Sequence, residues 1–159
     1  MKEILIFRHA KTEKREGDMK DFERKLTDRG RKDVKKIGKD LAKRRALPDL
    51  LLSSRAVRAQ ETADIFAESS GFNGEMQYLD ELYQAYPGDY LRLCAEYGRD
   101  YKRIMIVGHN PEIEDFLESL TGHTDKVKTC EINRLSIDIE TWSEAATASN
   151  TELTERLRP

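Results

Sequence analysis

Three short, uninterrupted apolar runs stand out from an otherwise polar chain. Ile4-Leu5-Ile6-Phe7 is the first, Leu50-Leu51-Leu52 the second, and Ile104-Met105-Ile106-Val107, after Arg103, the third. Runs of this length without alternation suit strands buried on both faces of a sheet. Between them the apolar period lengthens to that of a helix. Val34, Ile37 and Leu41 fall on one face after Thr27, a plausible N-cap, and Pro48 closes that element. Ala59, Thr62, Ala63 and Phe66 mark a helix over 57–68, stopped by Gly71. A third helix is expected over 89–97, with Leu91 and Leu93 inward, and a fourth from Pro111 in its first turn through Ile113, Phe116, Leu117 and Leu120. Residues 76–79 read as a short strand. Leu135, Ile137 and Ile139 alternate with polar residues, as in a strand with one wet face. Residues 11–25 read as a charged surface loop, and the chain is weakly patterned from Ser143 onward.

Strands alternating with helices predict an α/β domain: a three-layer α/β/α sandwich around a mixed, mostly parallel sheet, with residues 1–159 forming a single domain. In such sheets ligands bind beyond the carboxyl ends of the strands. Three chemically capable clusters lie there. Arg8-His9 follows the first strand, Ser53 to Arg58 the second, and Gly108-His109-Asn110 the third. Their convergence on one sheet edge is the main structural expectation.

Charge and composition narrow the chemistry. Of 159 residues, 28 are Lys or Arg and 30 are Asp or Glu, a net charge of −2, so no global field favours nucleic acid and any anion site must be built locally. The basic run Arg29 to Arg45 is interrupted by Asp28, Asp33 and Asp40 and reads as a solvated helix face. Cys94 and Cys130 lack C-x-x-C spacing and read as core fillers in a reducing compartment. Trp142 and Tyr101 read as core or edge residues, and His123 as a loop residue after a helix. Arg8 and His9 break the first apolar run too early for a signal peptide, and no run approaches the roughly 18 residues of a membrane span. A cytoplasmic monomer is expected, without membrane or nucleic-acid partners and without a cofactor or metal ion. Ser53 and Ser54 lack the flanking glycines of a nucleophile elbow, which argues against a serine hydrolase.

Two histidines and arginines at one sheet edge suit phosphate. Guanidinium offers a fork of donors that matches phosphate oxygens and stays charged. A neutral imidazole can attack phosphorus and hold the phosphoryl group covalently until water releases it. Nearby arginines neutralise the charge spreading over the transferring group and also disfavour imidazolium, whose ordinary pKa is about 6.5.

Four segments carry a family resemblance. LIFRHAKTE resembles the Arg-His motif that opens the histidine phosphatase superfamily, with Ala10 in place of the usual glycine. DFERKLTDRG resembles the D-x-x-R-x-L-T-x-x-G segment of its SixA-type branch, the phosphohistidine phosphatases. LLLSSRAVRAQETA resembles that branch's S-P-x-x-R-A-x-x-T-A stretch, with Arg55 in place of proline, and VGHNPEIEDFL its V-x-H-x-P segment. The resemblance implies a phosphoglycerate mutase-like fold and metal-independent hydrolysis through a phosphohistidine intermediate. It implies His9 as nucleophile, Arg8 and Arg58 as phosphoryl-binding arginines and His109 as a second pocket histidine. Arg24, Asn110 and Thr12 are candidate substrate contacts, and Arg55 a surface or substrate-facing residue. Larger superfamily members place a glutamate acid in an insertion this chain lacks. Glu81, beside Asp80, is the nearest candidate by position. A missing lid and acid favour a phosphohistidine on a protein, whose nitrogen leaving group can be protonated beforehand, over a small phosphate ester. The alternatives are a sugar or nucleotide phosphomonoesterase of the same superfamily and a non-catalytic phosphate-binding module. A phosphoglycerate mutase is disfavoured because its reaction needs a larger enclosing site.

Overall fold

The computed structural model describes residues 1–123, 125–148 and 150–159. Its elements are β1 (Lys2–Arg8), α1 (Asp28–Lys43), β2 (Leu50–Ser54), α2 (Val57–Ser70), β3 (Glu75–Leu79), α3 (Pro87–Tyr97), β4 (Arg103–Gly108), α4 (Glu112–Thr121), β5 (Ile132–Ile137) and β6 (Thr151–Leu157), with short 3-10 turns at Asp21–Glu23, Asp80–Leu82 and Trp142–Thr147. The six strands form one sheet in the order β3-β2-β4-β1-β5-β6. β3, β2, β4 and β1 are mutually parallel, and β5 runs antiparallel to both β1 and β6. The sheet is mixed and mostly parallel, as the alternation of elements predicts.

Strand residues alternate between two cores, which makes three layers. Leu5, Phe7, Leu51, Met105 and Val107 pack on one face against Val34, Ile37, Leu41, Ala59, Ala63 and Phe66 of α1 and α2. Ile4, Ile6, Leu52, Ile104 and Ile106 pack on the other against Tyr90, Leu93, Ile113, Phe116 and Trp142. Both faces of β1, β2 and β4 are therefore apolar, which explains their unbroken hydrophobic runs. Cys94 and Cys130 are buried free thiols.

Local signals end the helices. The Thr27 hydroxyl accepts from the Gly30 N–H at 3.0 Å and caps α1. Gly71 (φ 75°) and Gly122 (φ 73°) terminate α2 and α4 in the left-handed conformation. α1 stops at Lys43, before Pro48, and Pro111 precedes α4 rather than forming its first turn.

Two regions differ from the sequence reading. The weakly patterned tail contains β6, an edge strand whose partner is β5. An edge strand lacks a second neighbour and wears charge outward, so Glu152, Glu155 and Arg156 mask its alternation. Residues 11–25 are more than a surface loop. Thr12 bridges to Leu26, and the turn at Asp21–Glu23 folds back over the carboxyl edge of the sheet. Among the described residues no helix is long and apolar enough to cross a membrane.

Candidate active site

Strand order brings the clusters together. β1 pairs with β4 so that Arg8 lies beside Gly108, and the His9 N–H donates to the Gly108 carbonyl at 3.1 Å. His9 and His109 are thus next to each other beyond two adjacent strands, their ring centroids 5.3 Å apart. β2 flanks β4 on the other side and delivers Ser54, and Arg58 follows in the first turn of α2. A cavity of about 320 Å³ opens there, and Arg8, His9, Arg58 and His109 all line it. Thr12, Arg24 and Asn110 line it too. Ala10 is fully buried and is not among the residues with positive φ, so a Cβ fits at the position where the resembled motif has glycine.

His9 is held by one ring edge. Its Nδ1–H donates to the Ala10 carbonyl at 2.7 Å, which leaves Nε2 as the lone-pair nitrogen. Burial, reinforced by the charges of Arg58, Arg8 and Arg24, depresses its pKa to about 3 against the opposing pull of the Ala10 carbonyl. His109 is pushed down to about 2 by burial and by its proximity to His9 and Arg58. Both imidazoles are neutral at physiological pH. His109 Nε2 lies 2.8 Å from Ser54 Oγ, whereas its Nδ1 is buried with no hydrogen-bond partner among the described residues.

The arginines are fixed by acceptors around the cavity. Arg8 donates to the Val127 carbonyl at 2.7 Å. Arg58, only 5% exposed, donates to the Asp21 carbonyl at 2.7 Å and to Asp21 Oδ2 at 2.8 Å. Arg24 reaches Asp21 Oδ1 at 3.0 Å and Thr12 Oγ1 at 2.5 Å. The Tyr83 hydroxyl donates to Asp21 Oδ2 at 2.7 Å. Burial alone would raise the Asp21 pKa, but these three donors outweigh it and hold the carboxyl well below the usual range. Asp21 is therefore an ionised clamp on two arginines and a poor proton donor. Asn110 spends its amide N–H groups on Glu114 Oε1 (2.8 Å) and the Val127 carbonyl (2.9 Å), which ties the cavity wall together.

Glu81 is not at the cavity. Its carboxylate lies 2.9 Å from the Arg92 guanidinium on α3, because the turn after β3 points Glu81 along that helix. Asp80 pairs instead with Arg55 at 3.4 Å, both exposed just past the end of β2, and Arg55 is not among the residues that line the cavity. The expectation of a proton-donating acid at Glu81 is corrected accordingly. Sequence reasoning passed over Asp21, Tyr83, Gln84, Glu112 and Thr129, all of which line the cavity. Asp21 opens the D-x-x-R-x-L-T segment, and that was the available signal. Glu112 adjoins Pro111, and its Oε2 is buried without a partner among the described residues. No group of three or more His, Cys, Asp or Glu side chains among the described residues is disposed to hold a metal ion.

Comparison with known proteins places the family and the fold. The profile of the histidine phosphatase superfamily (branch 1) matches residues 4–130. An uncharacterized chloroplastic protein of Arabidopsis thaliana is 28% identical over 151 residues, which span 89% of this chain and 69% of that one. A solved structure from Agrobacterium tumefaciens, assigned as the phosphohistidine phosphatase SixA, superposes with a TM-score of 0.84 at 27% identity, covering 99% of this chain and 98% of that one. The protein histidine phosphatase SixA complexed with tungstate shares the fold, with a TM-score of 0.80 at 17% identity and coverage of 98% and 96%.

Proposed function

The chain belongs to the histidine phosphatase superfamily, and from that membership we propose that it is a phosphohistidine phosphatase acting on a phosphorylated protein, with His9 as the residue that accepts the phosphoryl group. The observation that carries this reading is the His9 anchor. With Nδ1–H committed to the Ala10 carbonyl, the neutral ring presents Nε2 to a cavity lined by Arg8, Arg24 and Arg58. In the first half-reaction Nε2 attacks phosphorus as the bond to the leaving nitrogen breaks, and that nitrogen departs with a proton. In the second, water attacks the phosphoryl group on His9, releasing inorganic phosphate and the free imidazole. Arg8 and Arg58 balance the oxygens' charge, and His109 donates to one of them. Arg24 supports the clamp from the cavity mouth. Thr12 and Asn110 hold the wall.

The choice of substrate follows from the lining. Apart from Tyr83, its side chains are charged or polar, matched to a phosphoryl group and not to the carbon skeleton of a metabolite. Asp21 is ionised and committed to its donors, so it does not serve as the acid for an alkoxide leaving group. A phosphoramidate nitrogen, protonated beforehand, asks less of the site.

We expect wild type to hydrolyse a chromogenic aryl phosphate without added metal and a phosphohistidine protein faster in kcat/KM. His9→Ala should lower both by at least about 10³-fold, and rapid quench should trap acid-labile phosphate on His9 in wild type only. Phosphate binding without turnover would favour a binding module instead. A preference for sugar or nucleotide phosphates would move the assignment to the phosphomonoesterases.

A further inference from the structure

The two histidines are anchored by opposite ring edges. His9 is held through Nδ1 and His109 through Nε2. The group on His109 is the hydroxyl of Ser54, the last residue of β2, and both residues are buried. Which atom donates in that contact follows from the other neighbour of the hydroxyl. Ser54 Oγ already accepts the Ala56 N–H at 3.2 Å, and an N–H offers no lone pair in return. Among the hydrogen bonds of the described residues, the acceptor within reach of the Ser54 O–H is His109 Nε2, at 2.8 Å. A buried hydroxyl proton left unpaired is unfavourable.

We propose that Ser54 is a positioning residue: its O–H donates to His109 Nε2 and so locks His109 in the Nδ1–H tautomer. Nδ1 is the ring nitrogen without a partner, on a side chain that lines the cavity. In the locked tautomer it offers an N–H to a phosphoryl oxygen. In the other tautomer a bare Nδ1 would face that oxygen lone pair to lone pair, and the second histidine would repel the group it is meant to hold. Free histidine in water favours the Nε2–H form, so the donor state of His109 is imposed by its surroundings. Both histidines are then Nδ1–H tautomers used in opposite senses. His9 presents its lone pair and His109 its proton, because the chain grips one ring at Nδ1 and the other at Nε2. Ser54 sits four residues before Arg58, so one strand end and one helical turn supply both the arginine and the tautomer lock.

The catalytic consequence rests on the phosphatase reading; the tautomer does not. The test therefore has two readouts. The first is ¹⁵N NMR of histidine-labelled protein at neutral pH, which reports the proton-bearing nitrogen of His109 directly. Wild type should show a protonated Nδ1 and a bare Nε2, and Ser54→Ala should move proton population to Nε2. The second is steady-state kinetics on an aryl phosphate. Ser54→Ala should lower kcat by roughly 10- to 100-fold with KM changed less than about threefold, since a transition-state donor is lost, and Ser54→Thr, which keeps the hydroxyl, should recover most of it. A wild-type His109 protonated on Nε2 would overturn the proposal, as would a Ser54→Ala variant with unchanged kcat in an active enzyme. If wild type turned over no phosphate ester but the spectra showed Nδ1–H in wild type and its loss in Ser54→Ala, the tautomer lock would stand and the phosphatase reading would fall.

Discussion

The proposed role of His9 as nucleophile rests on one backbone carbonyl. Ala10 O takes the Nδ1 proton, and burial together with three arginines keeps a second proton away, so a lone pair is available well below neutrality. Asp21 does the corresponding work for the cations. It ties Arg58, Arg24 and Tyr83 to one carboxylate, and that carboxylate is ionised because of them. Asp21→Asn keeps the size but removes the charge and at least one acceptor position. It should loosen Arg58 and lower kcat/KM by about 10- to 100-fold, the usual penalty for misplacing a reacting group by about an ångström. Asp21→Glu should lose less. Steady-state kinetics with a thermal melt as folding control would check this, and wild-type kcat/KM in Asp21→Asn would refute the clamp. The difference between what the sequence disclosed and what it hid is itself physical. Arg8, His9 and His109 could be read because each directly follows an apolar run that ends at a sheet edge. Asp21 opens the D-x-x-R-x-L-T segment, but it lies among charges, and only the fold shows that this one turns inward onto Arg58 and Arg24. Glu81 was misread because nearness along the chain says nothing about where a turn aims a side chain.

At the level of elements, the contact of α1 with the segment after β1 frames the cavity mouth. Gly30 in the first turn of α1 lies so close to that segment that a Cβ would stand 2.4 Å from the Lys11 carbonyl oxygen, a backbone atom with little freedom to move. The same carbonyl receives the Thr27 N–H at 2.9 Å, and Thr12, next along, takes a hydrogen bond from Arg24. Gly30→Ala should therefore destabilise the fold by about 1–3 kcal/mol, as overpacking does, and should also weaken catalysis by shifting Thr12 and Arg24. Urea unfolding midpoints paired with kcat/KM would show both effects, whereas a midpoint equal to wild type would mean the segment yields freely. The glycine of the D-x-x-R-x-L-T-x-x-G segment is thereby explained by a close approach, without any need for positive φ. The helices and the three central strands were legible because burial on a whole face leaves a periodic mark. β6 was not, since a strand with one partner and a charged outer face leaves almost none.

For the molecule as a whole, two buried neutral histidines make stability depend on pH. In the unfolded chain they take up protons below about 6.5, whereas in the folded state they resist until about 3 and about 2. Between these limits the unfolded state binds more protons, so stability is fully present above about pH 6.5 and falls as pH drops toward 3. Each histidine contributes a slope of up to about 1.4 kcal/mol per pH unit. Urea titrations from pH 7.5 to 4.5 should show this decline, and His9→Gln should reduce its slope by up to one proton. An unchanged slope in that variant would mean His9 is protonated in the native state. β1, made before the other five strands of its sheet, lies in the interior of that sheet between β4 and β5. A nascent polypeptide therefore carries its Arg-His pair on a ribbon with neither flank until β4 and β5 have been made, and products of stalled ribosomes that end before β4 would hold the proposed nucleophile but not the frame around it.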